Sequence, residues 1–399
     1  MTIPYPLSHR ATHIKRSVMR DLIALANQPD IISFAGGLPA AECLPLAQVK
    51  ECVEAVLTRD GSRALQYGPP YAPLREWVAG YMQKRGVACA VENVYITNGA
   101  QQGLELVARL LLDEDAPAVL EALTFTGIGQ AIGARTDDIR TAPVDLQTGV
   151  DIEAFDAALA RGPRPCLGVV IPAFHNPLGV SLPEEKRIRL ADIAARRGVP
   201  LLEDDPYSAL RFEGEDVLPI KAYDEAGMVI YNSSFSKMLA PAMRLGWLVA
   251  PAEVIAKLTV LREAIDLESS QLTQRIAAEF LLHGHLEPHL KQLNAVNLER
   301  RNAMFAALER ELGGLADWTE PQGGLFIWVT LPEGADMGAM FQTALERKVA
   351  YIPGAHFSPN GPGPTNTLRL NYSNTVPERI HAGIHQLSEI IKEHLAVSV

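Results

Sequence analysis

Short apolar segments alternate along most of the chain with segments in which apolar residues recur every three or four positions. Short apolar runs predict buried strands, and the helical recurrence predicts helices with one apolar face. We therefore predict helices at Gln48–Thr58, Leu74–Arg85, Gln101–Leu112 and Pro183–Arg197 (capped near Ser181), and strands at Val94–Thr97, Ala118–Glu121, Gly168–Pro172, Pro200–Glu203, Met228–Ser233 and Gly246–Ala250. Strands that alternate with helices are typical of a mostly parallel sheet covered on both faces.

The pattern changes after about residue 290. Residues 272–312 are predicted to be mostly helical, with a break near His285 and Pro288. Further on, we predict strands at Leu325–Thr330, Val349–Ile352 and Thr367–Tyr372 and a last helix at Pro377–Leu395. This order is typical of a smaller α+β domain. We divide the chain into an N-terminal segment (1–45), a large domain (46–290) and a small C-terminal domain (291–399).

Composition and charge exclude several classes of protein. The chain has 399 residues, of which 48% are hydrophobic and 21% charged, as in an ordinary globular protein with a sizeable core. The formal net charge is −11, from 36 basic and 47 acidic side chains, and no run of Lys or Arg forms a basic patch. Because such a surface repels phosphate backbones and anionic lipids, we predict neither a nucleic-acid nor a membrane partner.

Cysteine usage and the N-terminus indicate the compartment. The four cysteines are scattered and form no C-x-x-C pair, which favours a reducing environment. Met1–Arg20 lacks the apolar core of a signal peptide, and no apolar window is long enough to span a membrane. We therefore predict a cytoplasmic protein, and we predict no metal site.

Polar residues follow four of the predicted strands. They are Asn98-Gly99-Ala100-Gln101, Asn176-Pro177, Asp204 with Tyr207, and Ser234-Phe235-Ser236-Lys237. In open α/β sheets, ligands bind beyond the carboxyl ends of the strands. The sequence therefore predicts that these segments form one binding site.

At these residues the chain resembles the fold-type I pyridoxal-phosphate (PLP) enzymes of the class I and II aminotransferase family, in particular the 2-aminoadipate aminotransferase-like group. The resemblance runs from about Ile32 to Tyr372 and includes Ser33–Pro39, Leu65–Tyr67, His175–Pro177, Glu203–Tyr207, Ser234–Lys237 and Met243–Trp247. It implies a large domain with a mostly parallel seven-stranded sheet flanked by helices, a smaller α+β domain, and an N-terminal segment that joins the small domain and the active-site mouth. It also implies PLP as cofactor and a homodimer.

Lys237 is the predicted attachment point of the cofactor. PLP chemistry requires an amine that bonds to the cofactor's aldehyde and later moves protons at the substrate Cα. By the resemblance, Ser234, Ser236 and Arg244 hold the phosphate while Lys237 holds the aldehyde. The alternative is a solvated surface lysine that follows a turn.

Two carboxylates compete for the role beside the pyridine nitrogen, whose protonation a neighbouring negative charge favours. Asp204 lies three residues before Tyr207, as in the family, so we choose Asp204, while Asp205 fits the role of a helix-capping residue. Asn176 and Tyr207 are predicted to donate hydrogen bonds to the ring oxygen of the cofactor. The alternative for Asn176-Pro177 is a plain turn.

The phosphate and the ring need two further contacts. Gly99-Ala100-Gln101 opens a helix after a strand, where backbone N–H groups and the helix dipole can hold a phosphate. Relatives often have Ser at the position of Ala100. Because alanine has no hydroxyl, we expect this chain to make one hydrogen bond fewer to the phosphate. Phe125 follows a strand at a position where relatives stack an aromatic residue on the pyridine ring, and the alternative is a core phenylalanine.

Substrate contacts come from three separate segments. Arg369 lies inside an apolar strand and needs an anionic partner, which the resemblance identifies as the substrate α-carboxylate, held bidentately; the alternative is a structural salt bridge. Gly37 and Asn176 are also assigned to the substrate by the resemblance. Arg20, in a predicted amphipathic helix (Val18–Ala26), would meet a side-chain carboxylate of an acidic substrate, unless it is an exposed helix residue.

Tyr67 is predicted to reach the cofactor phosphate of the neighbouring subunit, which would make a homodimer necessary. Relatives have a longer, glycine-containing turn before the next tyrosine, whereas this chain has Gly68-Pro69-Pro70-Tyr71.

These predictions describe an aminotransferase that moves the amino group of an acidic, branched-chain or aromatic L-amino acid to a 2-oxo acid, with 2-oxoglutarate as the expected acceptor, by a ping-pong mechanism. A PLP-dependent lyase or decarboxylase on the same fold is the alternative enzyme. A PLP-binding sensor fused to a DNA-binding domain is the non-enzymatic alternative, disfavoured by the acidic balance and by a fold that is expected to begin near residue 30.

Overall fold

The computed structural model describes residues 5–7, 28 and 30–397. Its strands are β1 (Ile32–Ser33), β2 (Val94–Thr97), β3 (Ala118–Glu121), β4 (Ile139–Ala142), β5 (Val144–Asp145), β6 (Gly149–Val150), β7 (Leu167–Val170), β8 (Leu201–Asp204), β9 (Val229–Ser234), β10 (Gly246–Val249), β11 (Asp317–Trp318), β12 (Phe326–Thr330), β13 (Val349–Ala350), β14 (Ile352–Pro353) and β15 (Thr367–Asn371). Its α-helices are α1 (Leu46–Asp60), α2 (Ala72–Lys84), α3 (Ala100–Leu111), α4 (Thr126–Gly133), α5 (Ile152–Ala160), α6 (Glu184–Arg197), α7 (Ala252–Glu263), α8 (Gln271–Leu282), α9 (Leu286–Leu312), α10 (Met337–Glu346) and α11 (Pro377–Val397).

The central sheet has seven strands in the order β2-β10-β9-β8-β7-β3-β4. β10 is antiparallel to both of its neighbours, and the other pairs are parallel. Successive residues of β9 enter core clusters on opposite faces, because side chains alternate along a strand: Tyr231 packs with α1, α2 and α8, and Ile230 packs with α3. The predicted α/β fold with a mostly parallel seven-stranded sheet covered on both faces is therefore confirmed.

A second sheet is antiparallel, with the order β11-β12-β15-β14. β1 pairs in parallel with β13, so the N-terminal strand joins the C-terminal part of the chain. Helices α9, α10 and α11 enclose a separate apolar cluster on this sheet. The domain boundaries at residues 45 and 290 stay predictions, and α9 begins at Leu286 and continues past residue 290.

The predicted elements lie within one or two residues of the observed ones along most of the central sheet. Ser181, however, does not cap α6: its hydroxyl accepts a hydrogen bond from the Phe174 amide at 2.9 Å, and the helix follows Pro183. The predicted break between α8 and α9 occurs at Gly284, which has a φ of +71°. Pro288 lies in the first turn of α9, where a missing N–H costs no helical hydrogen bond. Among the described residues, no helix is both long and apolar enough to cross a membrane.

Candidate active site

The ends of β2, β8 and β9 meet at one edge of the central sheet, since these three strands run in the same direction. Beyond that edge lies a cavity of about 260 Å³. The predicted residues that line it are Gly37, Ala100, Gln101, Phe125, Asn176, Asp204, Tyr207, Ser234, Ser236, Lys237, Arg244 and Arg369. The structure therefore brings together residues that are spread over most of the sequence, as the pattern of polar strand ends predicts.

Lys237 projects into this cavity from the turn after β9. Its ammonium donates a hydrogen bond to the Gly37 carbonyl at 2.6 Å, and no carboxylate among the described residues forms an ion pair with it. Burial, together with the positive charges of Arg369 and Arg244, lowers the pKa of Lys237 to about 8. A substantial fraction of the amine is therefore neutral near pH 8, which is the form that attacks an aldehyde.

Asp204 is the last residue of β8 and is buried. One carboxylate oxygen accepts a hydrogen bond from Asn232 Nδ2 at 2.8 Å. Burial raises the pKa of Asp204 to about 7, against the effect of the Asn232 hydrogen bond and with smaller contributions from Asp205 and Glu121. This carboxylate has no cationic partner within the described part of the chain, so a ligand that carries a positive charge would stabilise it.

Asp205 has a different environment, although it is the next residue. Its carboxylate pairs with Arg85 at 3.1 Å and accepts hydrogen bonds from the Tyr231 hydroxyl at 3.0 Å and the Ser208 amide at 3.1 Å. Burial opposes ionisation, but Arg85 and Arg187 outweigh it and lower the pKa of Asp205. The Ser208 amide begins a short 3₁₀ helix (Ser208–Leu210), but the N-cap position of that helix belongs to Tyr207, so Asp205 lies before the helix and does not take the predicted capping position.

Asn176, Tyr207 and Arg369 form a connected group on one side of the cavity. The Asn176 side chain donates to the Tyr207 hydroxyl at 3.4 Å and accepts from Arg369 Nη1 at 2.8 Å. The Asn176-Pro177 peptide bond is cis. Burial raises the pKa of Tyr207, so its hydroxyl stays protonated and available as a donor.

Arg369 is buried on β15 without a carboxylate partner among the described residues. Its other terminal nitrogen donates to the Ala35 carbonyl at 2.5 Å, and Nε has no hydrogen-bond partner. The guanidinium lies 4.2 Å from the centre of the Phe326 ring and 5.0 Å from that of Phe357. Burial lowers the pKa of Arg369 to about 10. The alternative of a structural salt bridge is therefore excluded within residues 30–397, and an anionic ligand would relieve the buried charge.

A second group of residues at the cavity has the features of an anion site. Gly99 has a φ of +83°, and a Cβ at this position would lie 2.8 Å from Arg244 Nη2. α3 begins directly afterwards at Ala100, so its first N–H groups and its dipole face the same place. The Ser234 and Ser236 hydroxyls lie 2.8 Å apart and complete this corner.

Phe125 and Gln101 form one wall of the cavity. Phe125 is the residue before α4 and is partly buried. The Gln101 side chain donates to the Gly127 carbonyl at 2.9 Å, and a Cβ at Gly127 would lie only 2.3 Å from the Phe125 ring. Gly127 therefore permits the aromatic ring to take its place at the cavity.

Two predicted residues of the described chain, Tyr67 and Gly99, are not among the residues that line this cavity. Tyr67 is 79% exposed and lies at a separate, more open cavity of about 390 Å³ beside Arg262 and Glu268, so within one chain it does not meet Lys237. Arg20 and its predicted helix lie outside the described residues.

Two buried polar residues that the sequence analysis missed, Asn232 and Glu121, form hydrogen bonds to residues of the site or to the segment next to it. Asn232 holds Asp204, as described above. Glu121 accepts hydrogen bonds from the Ile171 amide at 2.9 Å and lies 3.0 Å from His175 Nε2, so it anchors the segment before Asn176. Each is a polar residue within or at the end of an apolar strand, and that signal was present in the sequence.

The residues present fit PLP. The unpaired Asp204 carboxylate suits a protonated ring nitrogen, the amine of Lys237 suits the aldehyde, and the corner formed by Gly99, Arg244 and the two serines suits the phosphate. Arg369 remains as a buried cation without a carboxylate partner among the described residues, and the substrate carboxylate would supply that partner.

Comparisons with known proteins point to the same chemistry. The family described as aminotransferase class I and II matches residues 30–387. The chain is 39% identical to a 2-aminoadipate transaminase of Thermus thermophilus, with 97% of this chain and 96% of that protein covered. It is 36% identical to aromatic-amino-acid aminotransferase 1 of Thermococcus litoralis, with 97% and 94% covered. The structure is similar to that of a Thermus thermophilus α-aminoadipate aminotransferase complexed with N-(5′-phosphopyridoxyl)-L-leucine, with a TM-score of 0.89, 37% identity and 98% of both chains covered.

Proposed function

This chain belongs to the aminotransferase class I and II family, and from that premise we propose that it moves the amino group of an acidic, branched-chain or aromatic L-amino acid to 2-oxoglutarate by a ping-pong mechanism. It is a transaminase, and PLP is its cofactor. The observation that carries the proposal is the buried cavity in which Lys237 and Asp204, both without an ion-pair partner among the described residues, lie beside the unpaired Arg369.

Lys237 is the residue that acts on the reacting carbon. When bound, PLP supplies an aldehyde that accepts the amino group and a conjugated ring that spreads the electrons left at Cα. Lys237 would hold the aldehyde of bound PLP at rest, and its amine, when free and neutral, would serve as the base that accepts the proton from the substrate Cα. The pKa of about 8 makes Lys237 suited to both roles near neutral pH.

Three residues would control the protonation and hydrogen bonding of the cofactor ring: Asp204, Asn176 and Tyr207. The Asp204 carboxylate would keep the ring nitrogen protonated, and burial strengthens that interaction because the cavity screens charge poorly. Asn176 and Tyr207 already lie within hydrogen-bond distance of each other, so both can donate to one ring oxygen with little movement.

Arg369 would bind the α-carboxylate of every substrate. Its Nε has no partner within the described chain, and the face of its guanidinium packs on Phe326, which holds the planar fork in one orientation. Because the keto acid keeps the same carboxylate, one arginine serves both halves of the reaction.

The proposed substrate range is supported by two features. The relatives are named for 2-aminoadipate and for aromatic amino acids, and the similar solved structure carries a leucine joined to the phosphopyridoxyl group. In this chain the apolar ring of Phe326 borders the cavity near Arg369, which suits branched-chain and aromatic side chains. Arg20 is our proposed partner for an acidic side chain.

A homodimer in the cytoplasm is part of the same proposal. Tyr67 and Leu65 are 79% and 70% exposed in the single chain, and exposed large side chains of this kind favour an interface. In a dimer, Tyr67 would contact the neighbouring subunit's phosphate site.

A half-reaction experiment separates transamination from lyase or decarboxylase activity on this fold. The holoenzyme is mixed with L-glutamate, L-2-aminoadipate, L-leucine or L-phenylalanine without any acceptor. We expect loss of the visible cofactor absorbance and a stoichiometric yield of pyridoxamine phosphate and keto acid, reversed by 2-oxoglutarate. Release of carbon dioxide or an elimination product, with the cofactor still in its aldehyde form, would contradict the proposal.

Lys237→Ala should abolish this conversion and the linkage that borohydride traps, because no other lysine of the described residues lines the cavity. Lys257→Ala, which removes an exposed lysine on α7, is the matched control and should retain both. A trapped linkage at another lysine in the Lys237→Ala protein would show that the attachment site is wrong.

A further inference from the structure

Asn232 lies behind the cavity and does not line it, but its side chain contacts two residues that do, Asp204 and Ala100. In the parallel pair formed by β8 and β9, Asp204 and Asn232 are direct partners, so their side chains point to the same face of the sheet. Both are buried, and Asn232 has no exposed surface. A polar side chain in the interior of a buried strand calls for a reason.

The amide of Asn232 is oriented by two acceptors. Its Nδ2 donates to Asp204 at 2.8 Å and to the Ala100 carbonyl at 3.2 Å, whereas its Oδ1 has no hydrogen-bond partner in the described part of the chain. A buried acceptor without a partner is unfavourable. Leucine, which has nearly the same shape, would avoid that cost, so the fold alone does not account for asparagine here.

Gly103 on α3 makes room for this side chain. A Cβ at Gly103 would lie 2.1 Å from Asn232 Oδ1 and 3.0 Å from its Cγ. The asparagine therefore fits only because the facing helix carries a glycine at position 103, so a larger residue at either position would require a change at the other.

The Asp204 carboxylate needs such a donor because of its surroundings. The titratable residues that interact electrostatically with Asp204 are Asp205, Glu121 and Tyr207, and none of them is a cation. Burial raises the pKa of Asp204 to about 7, and the Asn232 hydrogen bond is the contact that opposes this rise.

We propose that Asn232, in the space left by Gly103, is a positioning residue that holds Asp204 in the charged form and in the orientation needed by the ring nitrogen of bound PLP. The inference rests on the PLP site proposed above and extends it to a residue that does not touch the cofactor.

The test compares two cofactors on the same apoenzymes. Dissociation constants are measured at pH 6 for PLP and for 1-deaza-PLP, in which a C–H group replaces the ring nitrogen, with wild type, Asn232→Leu and Tyr231→Phe. At pH 6 the Asp204 carboxylate of the apoenzyme is mostly neutral, since its pKa is about 7, so the charged hydrogen bond forms on binding. Asn232→Leu should weaken PLP about ten- to hundredfold and leave the deaza analogue nearly unchanged.

Tyr231→Phe is the matched control, because Tyr231 is the preceding residue of β9, equally buried, and its hydroxyl donates to Asp205 instead. It should change neither affinity. The ¹⁵N signal of labelled, bound PLP should move toward the unprotonated pyridine position in Asn232→Leu alone.

Equal losses for both cofactors would mean that Asn232 acts through packing, and unchanged affinity with an unchanged ¹⁵N signal would mean that it has no role; either result overturns the inference. If the leucine variant does not fold, Asn232→Ala, which cannot overpack the site, gives the same comparison. Failure of the wild type to bind PLP would overturn the proposed function itself, so the two failures are distinguishable.

Discussion

Replacing Asp204 with asparagine should make the apoenzyme more stable and remove most of the turnover of the reconstituted enzyme. The folded protein raises the pKa of Asp204 from 3.8 to about 7, which corresponds to at most about 4 kcal/mol in favour of the uncharged form. Since the folded pKa lies above the unfolded one, ionisation destabilises the fold. That cost begins above pH ~4 and is complete above pH ~7.

The neutral amide avoids this cost and can still accept the hydrogen bond from Asn232. The gain in the free energy of unfolding should therefore approach about 4 kcal/mol at pH 8 and be about half as large at pH 5.5. Turnover should fall by several orders of magnitude. The lost charge partner of the ring cation costs several kcal/mol in the transition state, and each ~1.4 kcal/mol is a factor of ten.

Asp205→Asn, at the adjacent residue, should lower the free energy of unfolding instead of raising it. It leaves Arg85 buried with a neutral partner, and breaking a buried pair costs about 3–5 kcal/mol. Turnover per folded molecule should change much less than in Asp204→Asn.

The assay is urea unfolding of the three apoenzymes at pH 5.5 and pH 8, followed by kcat of the reconstituted enzymes. The reasoning fails if Asp204→Asn lowers the stability at pH 8, if its gain does not depend on pH, or if it keeps near-normal turnover while Asp205→Asn loses it.

Three further changes test other parts of the site. Arg369→Lys should reduce kcat/KM about ten- to hundredfold for acidic and apolar donors alike, because a charged, bidentate contact worth roughly 1.5–3 kcal/mol is weakened; steady-state kinetics would contradict this if one donor class were spared. Gly99→Ala should weaken PLP about tenfold by equilibrium dialysis, because φ is +83° and the new Cβ would press on Arg244, whereas Gly80→Ala, with nothing within 4 Å, should leave affinity unchanged. Arg20→Ala should lower kcat/KM for glutamate about ten- to hundredfold and leave leucine and phenylalanine nearly unchanged, and equal effects on both classes would disprove the role.

The sequence by itself determined six of the seven strands of the central sheet and the residues that follow them, and it missed the edge strand β4 (Ile139–Ala142). Val94–Thr97 and Ala118–Glu121 were predicted with the bounds that the structure shows. Strands of this kind are apolar over their whole length because both faces are covered, so their limits are visible in the local pattern. Asp204 stood out because it lies at the end of the apolar strand that contains Leu201 and Leu202, and Lys237 stood out because it closes the serine-containing turn after the next strand.

The tertiary structure alone decided which of these residues meet and what their charges experience. Arg369 contacts Asn176 across 193 positions of the chain, and Arg85 pairs with Asp205 across 120. The register of β8 against β9 places Asn232 beside Asp204. Local propensity depends on neighbours within a few positions, whereas register, burial and charge pairing depend on how distant segments pack. Two adjacent aspartates that the sequence could only rank therefore became, in the folded chain, an unpaired carboxylate in a cavity and a structural ion pair.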